Sequence, residues 1–282
     1  MNREQLFNQI KAKASMLCVG LDVDFDKMPP HIKALASEGE GEAMGRLFKG
    51  TARSIAEFNK AIIDATAAHC VAYKPNLAFY ECYGTEGLRA LEATVEYVRL
   101  NYPDLFLIAD AKRGDIGNTA RMYAKTFFET MDFDAVTVAP YMGADSVTPF
   151  LAYKNRWAIV LALTSNASAT QFQMAEKEGK PLYRAVMEEM MSISNPDNMM
   201  FVVGATKADK LKEIRSFCPD NFLLVPGVGA QGGSAEEVIA NGANEYGGLL
   251  INSSRGILYA DSSDNFAGAA AAAAAATARF GL

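Results

Sequence analysis

Short apolar runs, each closed by polar residues or glycine, recur along the chain. They are Met16 to Leu21, Cys70 to Lys74, Leu105 to Asp110, Ala135 to Ala139, Ala158 to Leu163, Phe201 to Val203, Phe222 to Val225 and Gly248 to Ile251. A strand that is apolar without a break is buried on both faces, and such strands belong to parallel sheets covered by helices. Helical spacing fills the intervals, for example Leu88, Leu91, Val95 and Val98, or Ala120, Tyr123 and Phe127. Eight strand–helix units in 282 residues predict one α/β domain over residues 1–282, a closed (β/α)8 barrel of the TIM type rather than a doubly wound sheet. An extra N-terminal helix over Met1 to Ala14, with Leu6, Ile10 and Ala14 on one face, closes the barrel bottom or packs beside it. The alanine-rich stretch Ala267 to Ala278 predicts a terminal helix packed on the outside of the barrel.

Composition narrows the function classes. With 50% hydrophobic and 21% charged residues the chain is an ordinary globular sequence, without a membrane-spanning run. Lys+Arg number 27 against 33 Asp+Glu, a net charge of -6 that disfavours nucleic acid as a partner. Cys18, Cys70, Cys82 and Cys218 form no CxxC pair and read as reduced, buried thiols. The first 13 residues mix charge with apolar residues, unlike a signal peptide, so a cytoplasmic location is expected. With His31 and His69 as its two histidines, the chain offers little for a histidine metal site, and none is expected.

In barrels of this kind functional residues sit at the C-terminal ends of the strands. Here those ends carry Asp22, then Lys74-Pro75-Asn76, then Asp110-Ala111-Lys112-Arg113-Gly114-Asp115, then Thr164-Ser165-Asn166, then the glycine-dense run Pro226 to Gly233, then Asn252 to Gly256. Asp110 and Lys112, two apart on a strand, should point to the same side, toward the barrel mouth. With Lys74 and Asp115 they form an alternating Lys-Asp-Lys-Asp cluster. A solvated rim of ion pairs would stabilise little. Four charges converging on a barrel mouth are partly desolvated and costly, so a functional use is expected. The glycine run exposes backbone N–H groups, and Arg255 offers a rigid fork, where barrels commonly hold a phosphate. The expected substrate is a small phosphate ester whose reacting end reaches the charged cluster.

The run Asp110-Ala111-Lys112-Arg113-Gly114-Asp115-Ile116-Gly117-Asn118-Thr119 resembles the signature of the orotidine 5'-phosphate decarboxylase family, in particular its longer bacterial branch. GLDVD at Gly20 to Asp24, YKPNLAFYE at Tyr73 to Glu81, LTSN at Leu163 to Asn166, PGVGAQGG from Pro226 and SSRGI ending at Ile257 extend the likeness over nearly the whole chain. The resemblance implies decarboxylation of orotidine 5'-phosphate to UMP without metal or organic cofactor, in a homodimer with shared active sites. It implies Lys112 as the acid that protonates C6 and Asp110 beside the substrate carboxylate. Asp115 and Thr119 would reach the partner's site, and Lys74 would order the aspartates and contact ribose. Asp22 would bind a ribose hydroxyl, Asn76 would line the pocket, Ser165 and Asn166 would read the pyrimidine, and Gln231 and Arg255 would hold the phosphate. At Ser254 the likeness departs from the glycine of many relatives, leaving a backbone amide available there.

Two other readings remain open on the sequence. One is a magnesium-dependent sugar-phosphate enzyme of the same suprafamily, such as a ketogulonate phosphate decarboxylase or hexulose phosphate synthase. The other is a catalytically silent barrel that senses a nucleotide by its phosphate loop.

Overall fold

The computed structural model describes residues 1–37, 49–228 and 233–277. Its core is a closed ring of eight parallel strands: β1 Leu17–Gly20, β2 Ala72–Lys74, β3 Phe106–Arg113, β4 Ala135–Val138, β5 Trp157–Leu163, β6 Met199–Val203, β7 Phe222–Pro226 and β8 Leu249–Ser253. Each strand pairs with its neighbours in sequence and β8 closes on β1 (Leu17 opposite Ile251), which is the expected (β/α)8 barrel. All eight sequence runs lie on these strands. They were legible because both faces are covered, so β1, β2, β4 and β6 are buried at every residue. Near the barrel bottom Trp157 meets Phe106 and Phe222 edge-on, with ring centroids 6.2 and 6.3 Å away.

The N-terminal helix, Arg3–Lys13, packs there through Leu6 and Ile10, both fully buried. Asn2 and Gln5 cap it reciprocally, which satisfies two N–H groups that a helix start leaves open. The Trp157 indole donates to the Met1 carbonyl at 2.8 Å, tying the segment to the barrel floor. Ala14 does not continue the buried stripe: it caps the helix in the left-handed conformation. The alanine-rich helix runs over Phe266–Thr277 and buries Ala270 and Ala274 on the barrel exterior, with Phe266 stacked on Phe58 at 5.2 Å. Small side chains allow that close approach.

Three local features depart from expectation. Cys82 is exposed, whereas Cys18, Cys70 and Cys218 are buried free thiols as anticipated. The segment between β5 and its helix holds a small antiparallel hairpin, Glu176–Lys177 against Lys180–Pro181. Its two turn residues, Glu178 and Gly179, both have positive φ, as a mirror-image hairpin turn requires. Third, the β3–β4 register shifts between Ala109 and Arg113, a bulge at the heart of the charged motif. Among the described residues no helix is long and apolar enough to cross a membrane.

Candidate active site

A cavity of about 550 Å³ opens at the C-terminal end of the barrel. Its polar wall begins on β2, where Gly20 of β1 lies beside Lys74 in register. A Cβ at residue 20 would come within 1.9 Å of the Ser254 hydroxyl, so glycine there lets β1 and the end of β8 close up under the site. After Lys74 the chain turns back along β3: Asp110 donates its N–H to the Pro75 carbonyl at 3.0 Å, and Leu77 donates to the Asp110 carbonyl at 3.2 Å. This bridge sets Asn76 beside Asp110.

Lys74 is buried, with its ammonium 2.9 Å from Asp110 Oδ2 and 3.7 Å from Asp22 Oδ1. Burial alone would lower its pKa, but the Asp110 and Asp22 carboxylates outweigh it and hold the ammonium above its ordinary value. Lys112 reaches the other oxygen of the same carboxylate, Nζ to Oδ1 at 2.6 Å, while its side chain stays about half exposed to the cavity. Burial pushes the Asp110 carboxyl up, yet Lys74 and Lys112 together hold it down at about 2. Asp110 is therefore a permanent anion gripped from two sides.

Asp110 and Lys112 do meet, but not by simple strand alternation. Lys112 sits at the bulge with φ +46°, a left-handed conformation that ordinary side chains rarely adopt. Thr137 of β4 holds it there: the Lys112 N–H donates to Thr137 Oγ1 at 2.9 Å, and that hydroxyl donates onward to Asp110 Oδ1 at 3.0 Å. A hydroxyl has one proton, so accepting the backbone N–H leaves its own hydrogen for the carboxylate. Sequence reading missed Thr137 because a threonine in the run Ala135-Val136-Thr137-Val138 looks like a strand former.

At the end of β8, Arg255 opens a short helix, Arg255–Leu258, and lines the cavity without an ion pair to any described residue. The end of the neighbouring strand β7 adds Pro226, Gly227 and Val228 to the lining, with Gly227 at φ +100°, a conformation for which glycine suits the turn. Gln231 lies outside the described residues. Asn252 of β8, which the sequence placed among the polar strand ends without giving it a role, donates to Ser254 Oγ at 3.2 Å and lines the cavity. Asp22 adds a buried Oδ1 with no hydrogen-bond partner among the described residues, and Ser165 and Asn166 complete the rim on the β5 side.

Thus the structure gathers Asp22, Lys74, Asn76, Asp110, Lys112, Ser165, Asn166, Ser254 and Arg255 around one cavity. Asp115 and Thr119 are not among its lining residues. Asp115 instead accepts a hydrogen bond from the Ile116 N–H at 2.8 Å, and Thr119 is exposed on the helix Gly117–Lys125. Within one chain the expected array of Lys74, Asp110, Lys112 and Asp115 does not form; Asp22 takes the place of Asp115 in a chain of charges with Lys74, Asp110 and Lys112.

Comparison with known proteins gives the family. The sequence profile of the orotidine 5'-phosphate decarboxylase / HUMPS family matches residues 15–271. An orotidine 5'-phosphate decarboxylase of Phocaeicola vulgatus is 55% identical over 95% of this chain and 93% of its own length. Among solved structures, an OMP decarboxylase of Leishmania donovani is 33% identical with a TM-score of 0.76, covering 96% of this chain and 94% of that one. The Plasmodium berghei orotidine 5'-monophosphate decarboxylase is 26% identical with a TM-score of 0.80, each chain covered to 96%. The chain therefore belongs to the orotidine 5'-phosphate decarboxylase / HUMPS family.

Proposed function

We propose that the chain decarboxylates orotidine 5'-phosphate to UMP, the last step of de novo pyrimidine biosynthesis, with no metal or organic cofactor. One observation carries the reading: a buried carboxylate, Asp110, fixes an ammonium, Lys112, that remains half open to the cavity. Loss of carbon dioxide from C6 leaves an electron pair in the plane of the ring, outside its π-system, so the barrier must fall by about 20 kcal/mol. A preorganised cation at the carbon where that charge develops is the largest single aid a site of this kind offers. The C6–carboxylate bond breaks, its electron pair stays on C6, and Lys112 Nζ delivers the proton that forms the new C–H bond. The neutral amine then recovers a proton from solvent.

The remaining residues divide the substrate between them. Asp22, whose buried Oδ1 pairs with Lys74 only at 3.7 Å and accepts no hydrogen bond from a described residue, takes a ribose hydroxyl, and Lys74 orders both carboxylates and contacts the ribose. Asn76 lines the ring pocket. Ser165 and Asn166 read the pyrimidine. Arg255, the Ser254 backbone and Gln231 hold the phosphate. Asp115 and Thr119 complete the site of a second copy in a homodimer. The supporting surface is apolar: Ile116, Met122, Tyr141 and Met142 are large exposed side chains on the segments following β3 and β4, which pack against each other. Four free thiols suit a reducing cytoplasm.

The test is a decarboxylation assay that follows the ultraviolet change from orotidine 5'-phosphate to UMP, with and without EDTA. Turnover unaffected by EDTA is expected. Turnover abolished by EDTA and restored by magnesium would move the chain to the metal-dependent sugar-phosphate enzymes. UMP binding without turnover would make it a nucleotide sensor.

A further inference from the structure

Sequence and cavity leave open which way the Asn166 amide faces, yet the hydrogen bonds behind it decide the matter. They begin at a donor whose direction is fixed, the backbone N–H of Thr164, which donates to Gln173 Oε1 at 2.8 Å. Gln173 must then present its NH2 group on the other side, and Nε2 lies 2.8 Å from Thr164 Oγ1. Because that hydroxyl accepts from Gln173, its single proton goes to Asn166 Oδ1, 2.6 Å away. The carbonyl end of Asn166 is thereby consumed. Its NH2 group is left for the cavity that Thr164, Asn166 and Gln173 all line. Gln173 is itself anchored, donating its N–H to the Ala169 carbonyl at 2.8 Å and accepting from Tyr183 N–H at 2.9 Å.

The barrel order says which part of a ligand meets that amide. β5 stands four strands from β1 in either direction around the ring of eight, hence across the mouth from Asp22. With ribose at Asp22, N1 of a pyrimidine lies on the β1 side, and C4, across the ring from N1, points toward β5. We propose that Gln173 is a specificity-determining positioning residue: through Thr164 it turns the Asn166 NH2 group toward the 4-position of the base, where it demands an acceptor oxygen and rejects an amino group. This rests on the reading above that a uridine nucleotide occupies the cavity. A 4-amino pyrimidine would set two donors against each other, and a site built to donate to an oxygen discriminates strongly against such an analogue.

The relay can be reversed by one substitution. In Gln173→Glu the carboxylate can only accept, so it takes both the Thr164 N–H and the Thr164 hydroxyl proton. Thr164 Oγ1 then accepts from Asn166, whose carbonyl swings toward the cavity. Calorimetric binding of UMP and of CMP to the full chain tests this. Wild type should favour UMP by about tenfold or more. Gln173→Glu should cut that ratio by about tenfold, and Thr164→Val, which breaks the relay without reversing it, by roughly threefold. The ratio is indifferent to any general loss of stability. The inference is overturned if wild type binds both nucleotides within about twofold, or if Gln173→Glu binds UMP with the ratio unchanged. Should Gln173→Glu fail to fold, an unchanged ratio in Thr164→Val overturns it equally. A wild-type protein that turns over orotidine 5'-phosphate but shows an unchanged ratio in the variants refutes this inference alone, whereas one that neither turns it over nor binds UMP refutes the functional reading beneath it.

Discussion

The two walls of the cavity handle charge in opposite ways. On the β2–β3 side every charge already has its counterpart: Asp110 is held by Lys74 at 2.9 Å and by Lys112 at 2.6 Å, and Thr137 adds a third donor at 3.0 Å. On the β7–β8 side Arg255 has no ion-pair partner among the described residues and shares the cavity lining with a turn at Gly227. The paired wall is built on strands and locked before any ligand arrives, so little reorganisation remains for the reacting step. The open wall waits for an anion. Binding energy gained there, remote from the reacting carbon, can be used to drive closure and so to favour the transition state. On the proposed reading, chemistry and capture are thus separated across one barrel mouth.

The largest effect should come from emptying the paired wall. If Lys112 has its proposed role, Lys112→Ala removes the proton donor and the cation facing C6 together, and turnover should fall by roughly 10⁴-fold or more, since a positioned acid alone contributes ~10²–10⁴-fold. UMP affinity should hold, because the phosphate and ribose contacts lie elsewhere. Steady-state kinetics beside calorimetry measure both quantities, and activity within about tenfold of wild type would exclude Lys112 as the acid.

Next in size is a recovery. If Asp115 completes the partner's site, a heterodimer of Lys112→Ala and Asp115→Ala has one site carrying both defects and one intact. Two inactive preparations, mixed in equal amounts and allowed to exchange subunits, should then regain activity toward about one quarter of wild type, since half the dimers are mixed and half their sites are whole. A mixture that stays inactive after exchange is confirmed places both residues in one subunit's site.

Much of the paired wall was legible in the sequence, and the physical reason is burial. Strands covered on both faces read as unbroken apolar runs, so the polar residues that end them, Asp22, Lys74 and Asp110, stand out against that background. What periodicity could not supply was the route by which Lys112 returns to Asp110. A bulge carries no hydrophobic signature, and the threonine that stabilises it is hidden by its suitability for a strand. On the β5 side, Gln173 lies in an irregular polar segment beyond a 3₁₀ turn, Ala167–Gln171, where neither period applies. Its role emerges from two hydrogen bonds with Thr164 and a third from Thr164 to Asn166, which are tertiary facts. The Asp115 placement is the converse case: motif spacing named it, while the fold of a single chain turns it away from the cavity.

The open wall should respond in affinity rather than rate. Arg255→Ala forfeits a charge-assisted contact to a dianion, worth roughly 1.5–3 kcal/mol, and should weaken UMP binding by about 10- to 150-fold. An unchanged UMP affinity would remove Arg255 from the phosphate site. Thr137→Val sharpens the contrast from the paired side. It keeps the shape, leaves the Lys112 N–H and one Asp110 oxygen each short of a partner, and should lower kcat by roughly tenfold with UMP affinity preserved. Thr137→Ser restores the hydroxyl and should recover most of the rate. A serine variant as slow as the valine one would assign the loss to packing.

The smallest effect separates the walls by pH. In the folded chain the Asp110 carboxyl sits at about 2, against an ordinary value of 3.8, because the two ammonium groups overcome the opposing effect of burial. A carboxyl depressed on folding stabilises the native state fully above its unfolded pKa and loses that contribution as the pH falls through the folded one. The difference in melting temperature between wild type and Asp110→Asn should therefore stay level down to about pH 4 and shrink only below it. Lys74, Lys112 and Asp22, the charged groups facing this carboxylate, are common to both proteins and largely cancel in the difference. UMP affinity should behave otherwise, falling below about pH 6 as a phosphate monoester takes up its second proton, with the fall largely lost in Arg255→Ala. If the melting difference instead began to close near neutrality, Asp110 would not be the permanent anion of the paired wall, and the division between a preformed charge site and a ligand-completed one would fail at its firmer half.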